Sequence, residues 1–326
     1  LGELFAHAVL NICKKAGLAP EEVDAVGSNG QTLYHHPSPE KLPGFSVTGT
    51  LQIGNPSIIA ERTGLTVVSH FRSRDMAVGG QGAPLAPLLD FALYRHRSRG
   101  RICVNLGGIA NVTGLPAGAA LSSLVAFDAG PGNCLVDMTA AHFSGGQLPY
   151  DRDGAWARAG RVNDALLAGL LEHPFLKLKP PKSADKEQFG RGLFQKVVSE
   201  NPGMTGQDLA ATFSAFTLRS LTTGLMEHLM QKDRYEEIIV SGGGSHNPYF
   251  MGGLGQAFPK LFVSSADEYA VPAQAKEAVL MALLANETLL GHPGNIPSAT
   301  GAQRAVVLGV IAPGARAYAD ASKEGA

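Results

Sequence analysis

The run Ile102-Cys-Val-Asn-Leu-Gly-Gly-Ile-Ala-Asn-Val-Thr-Gly-Leu115, followed by Leu124-Val-Ala-Phe127, decides the fold. Two apolar stretches, 102–106 and 109–115, flank the Gly107-Gly108 pair, the composition of a strand, a tight turn and a strand. Residues 124–127 add a third strand directly after them. That third strand delivers one carboxylate, Asp128, into Ala129-Gly-Pro-Gly-Asn133, a turn without bulky side chains. Gly130 and Gly132 let backbone amides approach an anion closely, and Pro131 stiffens the turn, so one short segment can supply both a base and a phosphate cradle. The other reading is a plain strand-to-helix loop in which Asp128 caps the helix through Val136 and Met138.

Working outward, the periodicity predicts helices over 133–143 and 154–172, then a Pro/Lys-rich connector over 173–186. A long helix over 206–230 precedes a buried strand, 238–240, that runs into Gly242-Gly243-Gly244. Helix 247–257, strand 261–263 and helix 274–290 follow. Upstream, strands are expected at 23–27, 45–53 and 65–69, and helices at 56–63 and 84–97. Residues 1–17 read as an amphipathic helix already under way, with Leu4, Phe5, Ala8, Val9 and Ile12 on one face, as if an upstream segment were missing.

Composition narrows the class. A chain of 326 residues that is 44% hydrophobic and 17% charged can bury a large core and divides into about two domains. A formal net charge of -1 offers no basic field for nucleic acid or an anionic membrane, which favours a small-molecule partner. The 40 glycines cluster after apolar runs, at 79–82, 107–108, 130–132 and 242–244, where backbone can approach a ligand. Cys13, Cys103 and Cys134 match no zinc or haem spacing and their odd number argues against a disulfide framework, so a reducing, cytoplasmic setting is expected. No apolar run of membrane-spanning length and no secretory signal is read. His35 and His36 look like a metal pair, yet adjacent histidines point apart and no third ligand is spaced nearby, so no metal site is assigned. Leu209, Phe213, Phe216, Ser220 and Leu221 form a helix stripe read as core.

Three strands followed by alternating helices and strands is the plan of a ribonuclease-H-like domain, as in sugar kinases, actin and Hsp70 chaperones. Specific residues tighten this. In order along the chain stand Gly27-Ser-Asn-Gly-Gln-Thr32 with His36-Pro37, Leu51-Gln-Ile-Gly-Asn55, His70-Phe-Arg-Ser-Arg-Asp75, Gly79-Gly-Gln-Gly-Ala-Pro-Leu85, Asn105-Leu-Gly-Gly-Ile-Ala-Asn-Val-Thr113, Phe127-Asp-Ala-Gly-Pro-Gly-Asn133 and Ser241-Gly-Gly-Gly-Ser-His-Asn-Pro248. The set closely resembles the anhydro-N-acetylmuramic acid kinase family, and the likeness extends to Glu277-Ala278, Ile296-Pro297 and Thr300-Gly-Ala302.

The resemblance implies an α/β protein of two ribonuclease-H-like domains with the active site in the cleft between them. Residues 1–99 would be the remainder of a first, sugar-binding domain truncated at its N-terminus, and 100–326 the nucleotide-binding domain. It implies an enzyme of peptidoglycan recycling that uses ATP and Mg2+ to convert 1,6-anhydro-N-acetylmuramic acid and water into N-acetylmuramic acid 6-phosphate, and it implies a homodimer. Asp128 would be the catalytic base, drawing a proton from water that attacks the anomeric carbon, which asks for an ionised carboxylate at neutral pH. Asn105, Gly107, Gly108, Gly130, Gly132, Asn133, Gly242, Gly243, Gly244 and Asn247 would meet the nucleotide. Gln31, Thr32, Arg72, Asp75, Gln81, Gly82 and Glu277 would meet the sugar, Arg72 or Arg74 pairing with its lactyl carboxylate.

The chain departs from the family at three points. The Ser-Gly-Thr-Ser-x-Asp-Gly phosphate loop expected upstream is absent, Asn29 replaces a histidine, and Ala129 replaces a threonine beside the base. A non-catalytic sugar- or nucleotide-binding remnant is therefore the alternative. No Walker signature competes for the phosphates, and Gly242-Gly243-Gly244 fails the dinucleotide fingerprint at Asn247.

Overall fold

The computed structural model describes residues 1–184, 188–269 and 271–315; the end of the Pro/Lys-rich connector, 185–186, lies outside them. The described strands are β1 (Ala25–Ser28), β2 (Gln31–Leu42), β3 (Phe45–Ile53), β4 (Thr66–Ser69), β5 (Arg101–Leu106), β6 (Ile109–Leu115), β7 (Val125–Pro131), β8 (Glu237–Ser241), β9 (Phe262–Ser265) and β10 (Val310–Ala312). Two units divide the chain, one of Leu1–Leu89 with Glu277–Ala326 and one of Asp90–Lys276.

In the second unit the strand order is β7-β6-β5-β8-β9. β6 runs antiparallel to both β5 and β7, whereas β8 lies parallel to β5 and β9 parallel to β8. This is the ribonuclease-H-like order that three consecutive strands predict. Every residue of β8 is buried, as suits a parallel strand covered on both faces. Ile102, Val104, Val112, Phe127 and Val240 pack with Leu221 and Leu225 of helix Gly206–Leu225 and Phe250 and Leu254 of helix Pro248–Ala257. Leu209, Phe213, Phe216, Ser220 and Leu221 are all buried, so the helix stripe is core. The helix expected over 154–172 is two, Ala155–Ala159 and Asp164–Leu171. Gly160 passes so close to the helix Gly206–Leu225 that a Cβ there would lie 2.0 Å from the Gln207 carbonyl oxygen. Asn163 then starts the second helix by accepting the Leu166 N–H at 3.0 Å.

The first unit holds a three-stranded sheet in the order β1-β4-β10, with β1 parallel and β10 antiparallel to β4, and the separate β2–β3 hairpin. Helix Gly2–Ala16 packs Phe5, Ala6 and Val9 against Ile59 and Ala60 of helix Pro56–Thr63. Leu4 and Ile12 stay exposed, so its buried face is narrower than the sequence pattern suggests. Two consecutive domains do not describe this chain: the segment from Glu277 onward returns to the first unit. It does so through β10, through Gly314 N–H donating to Thr66 Oγ1, and through Asn295 and Thr300, which bond Asp75. A three-residue strand carries too little pattern to announce that return. The sequence reading also lacks β2 and the helices Phe71–Ala77 and Arg191–Glu200. No helix among the described residues is long and apolar enough to cross a membrane.

Candidate active site

β7 brings Phe127 and Ala129 into the core, and between them Asp128 sits almost fully buried. The β6–β7 register slips here: Asn111 faces Asp128 and Ala110 faces Gly130, leaving Ala129 as the extra residue of a bulge. Bulges re-aim neighbouring side chains. Asp128 N–H donates to the Lys182 carbonyl at 2.9 Å, and its Oδ2 accepts the Ala184 N–H at 2.7 Å. The carboxylate therefore faces the 182–184 segment, and the helix-capping reading falls: Asn133, not Asp128, stands at the N-cap of helix Cys134–Phe143. Burial pushes the Asp128 pKa up to about 7, against the opposing pull of the Ala184 N–H and the Lys182 charge. Burial thus works against the ionised carboxylate that the sequence leads one to expect at neutral pH.

The glycines of the turn serve closeness to a neighbouring hairpin. Gly132 N–H donates to the Gly108 carbonyl at 3.0 Å and Asn133 N–H to that of Gly107 at 2.7 Å. Asn133 Nδ2 adds a bond of 2.9 Å to the Leu106 carbonyl. A Cβ on Gly132 would lie 2.0 Å from the Gly107 oxygen. The Gly132 amide, read from sequence as open to an anion, is engaged by a carbonyl, as is that of Asn133; among the expected phosphate-facing glycines, Gly108 is exposed at the hairpin tip. Gly130, at φ 150°, stands apart from that contact, against Ser220.

The triple-glycine turn after β8 joins the same place. A Cβ on Gly242 would come within 2.7 Å of Asn105 Oδ1, and one on Gly244 within 2.4 Å of Leu106 Cβ. Gly243, His246 and Asn247 share the wall of a cavity of about 490 Å3 with Asn133, Asp137 and the 149–153 segment. Asn247 also caps helix Pro248–Ala257 by accepting the Tyr249 N–H at 3.0 Å. Sequence reasoning found Asn105, Asn133 and the triple glycine, which converge. It does not single out Asp137, a polar residue inside the helix expected over 133–143, nor His246, nor the 149–153 loop, which carries no periodic pattern. Asp137 is half-buried, and that burial, with the Asp151 charge, pushes its pKa up to about 6.

In the first unit, helix Phe71–Ala77 and the loop after it gather Arg72, Asp75, Gln81 and Gly82. Asp75 is fully buried and its oxygens are taken: Oδ2 accepts the Gly82 N–H, and Oδ1 accepts Thr300 Oγ1 and Asn295 Nδ2, each at 2.7 Å. Expected as a sugar ligand, it instead frames the glycine turn. Arg72 Nη1 donates to the Gly82 carbonyl at 2.8 Å; burial lowers its pKa while Glu277, on helix Lys276–Leu289, opposes. Arg74 is exposed. Thr32 Oγ1 accepts from Gln52 Nε2, and Gln31 is exposed with its amide on the Thr32 carbonyl.

His35, which the sequence offers only as half of a metal pair, belongs to this cluster. Its Nδ1 lies 3.0 Å from Thr50 Oγ1, and burial and Arg72 lower its pKa. Three buried polar atoms here have no hydrogen-bond partner: Gln52 Oε1, Arg72 Nε and Gln81 Oε1. Such atoms are costly unless a ligand or a water satisfies them. No group of three or more His, Cys, Asp or Glu side chains suited to a metal gathers among the described residues.

The family profile described as anhydro-N-acetylmuramic acid kinase matches residues 1–314. The anhydro-N-acetylmuramic acid kinase of Caldanaerobacter subterraneus subsp. tengcongensis is 41% identical over 313 residues, 95% of this chain and 79% of that one. The enzyme of the same description from Bacillus cereus (strain ATCC 10987 / NRS 248) is 41% identical over 313 residues, 95% of this chain and 80% of its own. Among solved structures, the activator of 2-hydroxyisocaproyl-CoA dehydratase from Clostridium difficile with bound ADPNP aligns with 12% identity and a TM-score of 0.36 over 67% of this chain and 65% of that one, a likeness too low to carry an argument.

Proposed function

The chain belongs to the anhydro-N-acetylmuramic acid kinase family, and on that premise we propose how its residues divide the reaction. It is a kinase of anhydro-N-acetylmuramic acid and uses ATP. The finer reading is a coupled step of peptidoglycan recycling in the cytoplasm. Asp128 takes a proton from water as the water oxygen bonds to the anomeric carbon. The bond from that carbon to O6 breaks, and O6 accepts the γ-phosphoryl group, giving N-acetylmuramic acid 6-phosphate and ADP.

One observation carries the choice of base. Asp128 is a buried carboxyl on β7 whose Oδ2 is held by the Ala184 N–H at 2.7 Å, and burial raises its pKa toward the neutral range in which a general base works. The second unit supplies the nucleotide side, through the Gly107-Gly108 hairpin, Asn133 and the Gly242–Gly244 turn. ATP is bound there with Mg2+ in this reading, since phosphate charge beside the Asp137 and Asp151 carboxylates calls for a cation. When bound, Mg2+ neutralises charge on the phosphates. The first unit supplies the sugar side: Arg72 for the lactyl carboxylate, with Gln81 offering a buried oxygen that lacks a partner and His35 beside it. A second copy as partner is supported by the exposed Leu33, Phe45 and Leu51 of the β2–β3 hairpin, and light scattering on a sizing column tests it.

Mass spectrometry of the product from ATP, Mg2+ and 1,6-anhydro-N-acetylmuramic acid tests the reaction. The sugar should gain one phosphoryl group and one water; a phosphorylated sugar that keeps its anhydro ring would sink the coupled step.

A further inference from the structure

One buried cation of the second unit has no part in the reaction described above. Lys182 is 4% exposed, at the end of the Pro180-Pro181 pair. Its Nζ lies 3.3 Å from the Leu176 carbonyl and 3.4 Å from that of Phe175, and 4.8 Å from the centre of the Phe175 ring. The Phe127 ring lies at 5.9 Å. An ammonium withdrawn from water this far is costly unless its donors find partners, and two carbonyls and two ring faces supply them. The side chain thereby pins its own backbone to the helical turn Pro174–Lys177.

That backbone is what touches the base. The Lys182 carbonyl accepts the Asp128 N–H, and two residues on, the Ala184 N–H donates to Asp128 Oδ2. The 182–184 segment therefore lies along β7 at the one residue whose orientation the reaction depends on.

We propose that Lys182 is a positioning residue for the kinase reaction, its ammonium anchoring the 182–184 backbone so that the Ala184 N–H fixes the Asp128 carboxylate. This rests on the reading of Asp128 as the base. Electrostatics agree with the geometry. The Lys182 charge and the Ala184 N–H both hold the Asp128 pKa below where burial alone would put it. Around the lysine, burial lowers its pKa while Glu227 and Asp128 face it and oppose that shift. His228, beside Glu227, is lowered by burial and then by Lys182.

The test is the pH profile of kcat/KM, with separate kcat and KM values, for the wild-type chain and for Lys182→Met, Lys182→Arg, Ala184→Pro and Asp128→Asn. Lys182→Met should lower kcat roughly tenfold to hundredfold, the scale of a misplaced catalytic group, while both KM values stay within about twofold. Its acid limb should move to higher pH, because a charge that favours the carboxylate has gone. Lys182→Arg should restore the limb toward the wild-type position. Ala184→Pro leaves the lysine in place and removes the donor to Oδ2; it should move the limb the same way, and it carries the test where thermal scans show Lys182→Met unfolded. A wild-type acid limb in either Lys182→Met or Ala184→Pro, or a loss confined to KM, overturns the proposal. If Asp128→Asn keeps its activity, the base reading fails first; if Asp128→Asn is inactive and Lys182→Met is not impaired, only the positioning role fails.

Discussion

Thr300 Oγ1 donates to Asp75 Oδ1 at 2.7 Å, joining two residues that lie 225 positions apart in the chain. With Asn295 Nδ2 and the Gly82 N–H, it completes a carboxylate that has no exposed surface. Asp75→Asn would turn an amide group toward donors that need an acceptor. We expect a loss of roughly 2–4 kcal/mol of stability, the scale for a buried polar group left facing the wrong partner. We also expect a larger rise in KM for the sugar than for ATP. Thermal unfolding and steady-state kinetics check both; an unchanged Tm refutes the framing role.

Asp128→Asn keeps the shape of the residue and removes the base. We expect kcat to fall by about 10²–10⁴-fold. Calorimetric affinities for ATP and sugar should stay within a few-fold. Near-normal turnover in this variant would remove Asp128 from the mechanism.

The same carboxyl fixes a pH dependence. Its folded pKa of about 7 exceeds an unfolded value near 3.9, so folding favours the protonated form. That stabilisation is complete below about pH 4 and is lost as pH rises through 7. Asp128→Asn does not titrate, so its Tm advantage over wild type should be larger at pH 8 than at pH 5. Activity runs the other way, with kcat/KM falling as pH drops below about 7. A Tm difference that is constant across this range would contradict the assigned burial.

Gly132→Ala would place a methyl group against the Gly107 carbonyl oxygen and force the turn away from the hairpin. We expect KM for ATP to rise tenfold or more, with a smaller effect on the sugar, because Asn133 and the hairpin tip separate. Equal effects on both substrates would show that the contact serves the fold alone.

The second unit was legible because its signals are local. Strands 102–106 and 109–115 are apolar runs around a glycine pair, and Asp128 stands where one such run ends. What holds Asp128 was not legible, because a backbone N–H from Ala184 leaves no mark in residue type. The same holds at Gly160, where nothing in the local pattern shows that the Gln207 carbonyl will occupy the space of a side chain and break the helix. His35 was missed for another reason: adjacent histidines raise the question of a metal, while its neighbours Thr50, Arg72 and Gln81 are distant in sequence. Asp75 was placed correctly beside the glycine turn, but its partners Asn295 and Thr300 come from the far end of the chain.

The pairing of β10 with β4 has a consequence for the order of events on the ribosome. Residues Asp90–Lys276 emerge as a whole sheet with its helices, ready to collapse, before Val310–Ala312 has been synthesised. Until then β4 presents an open edge, with the hydrogen-bonding groups of Val67 and Val68 awaiting a partner and available to any other nascent strand. The β1–β4 pair is therefore completed only after the five-stranded sheet that follows it in the chain, and throughout that interval β4 keeps an edge open to pairing with another molecule.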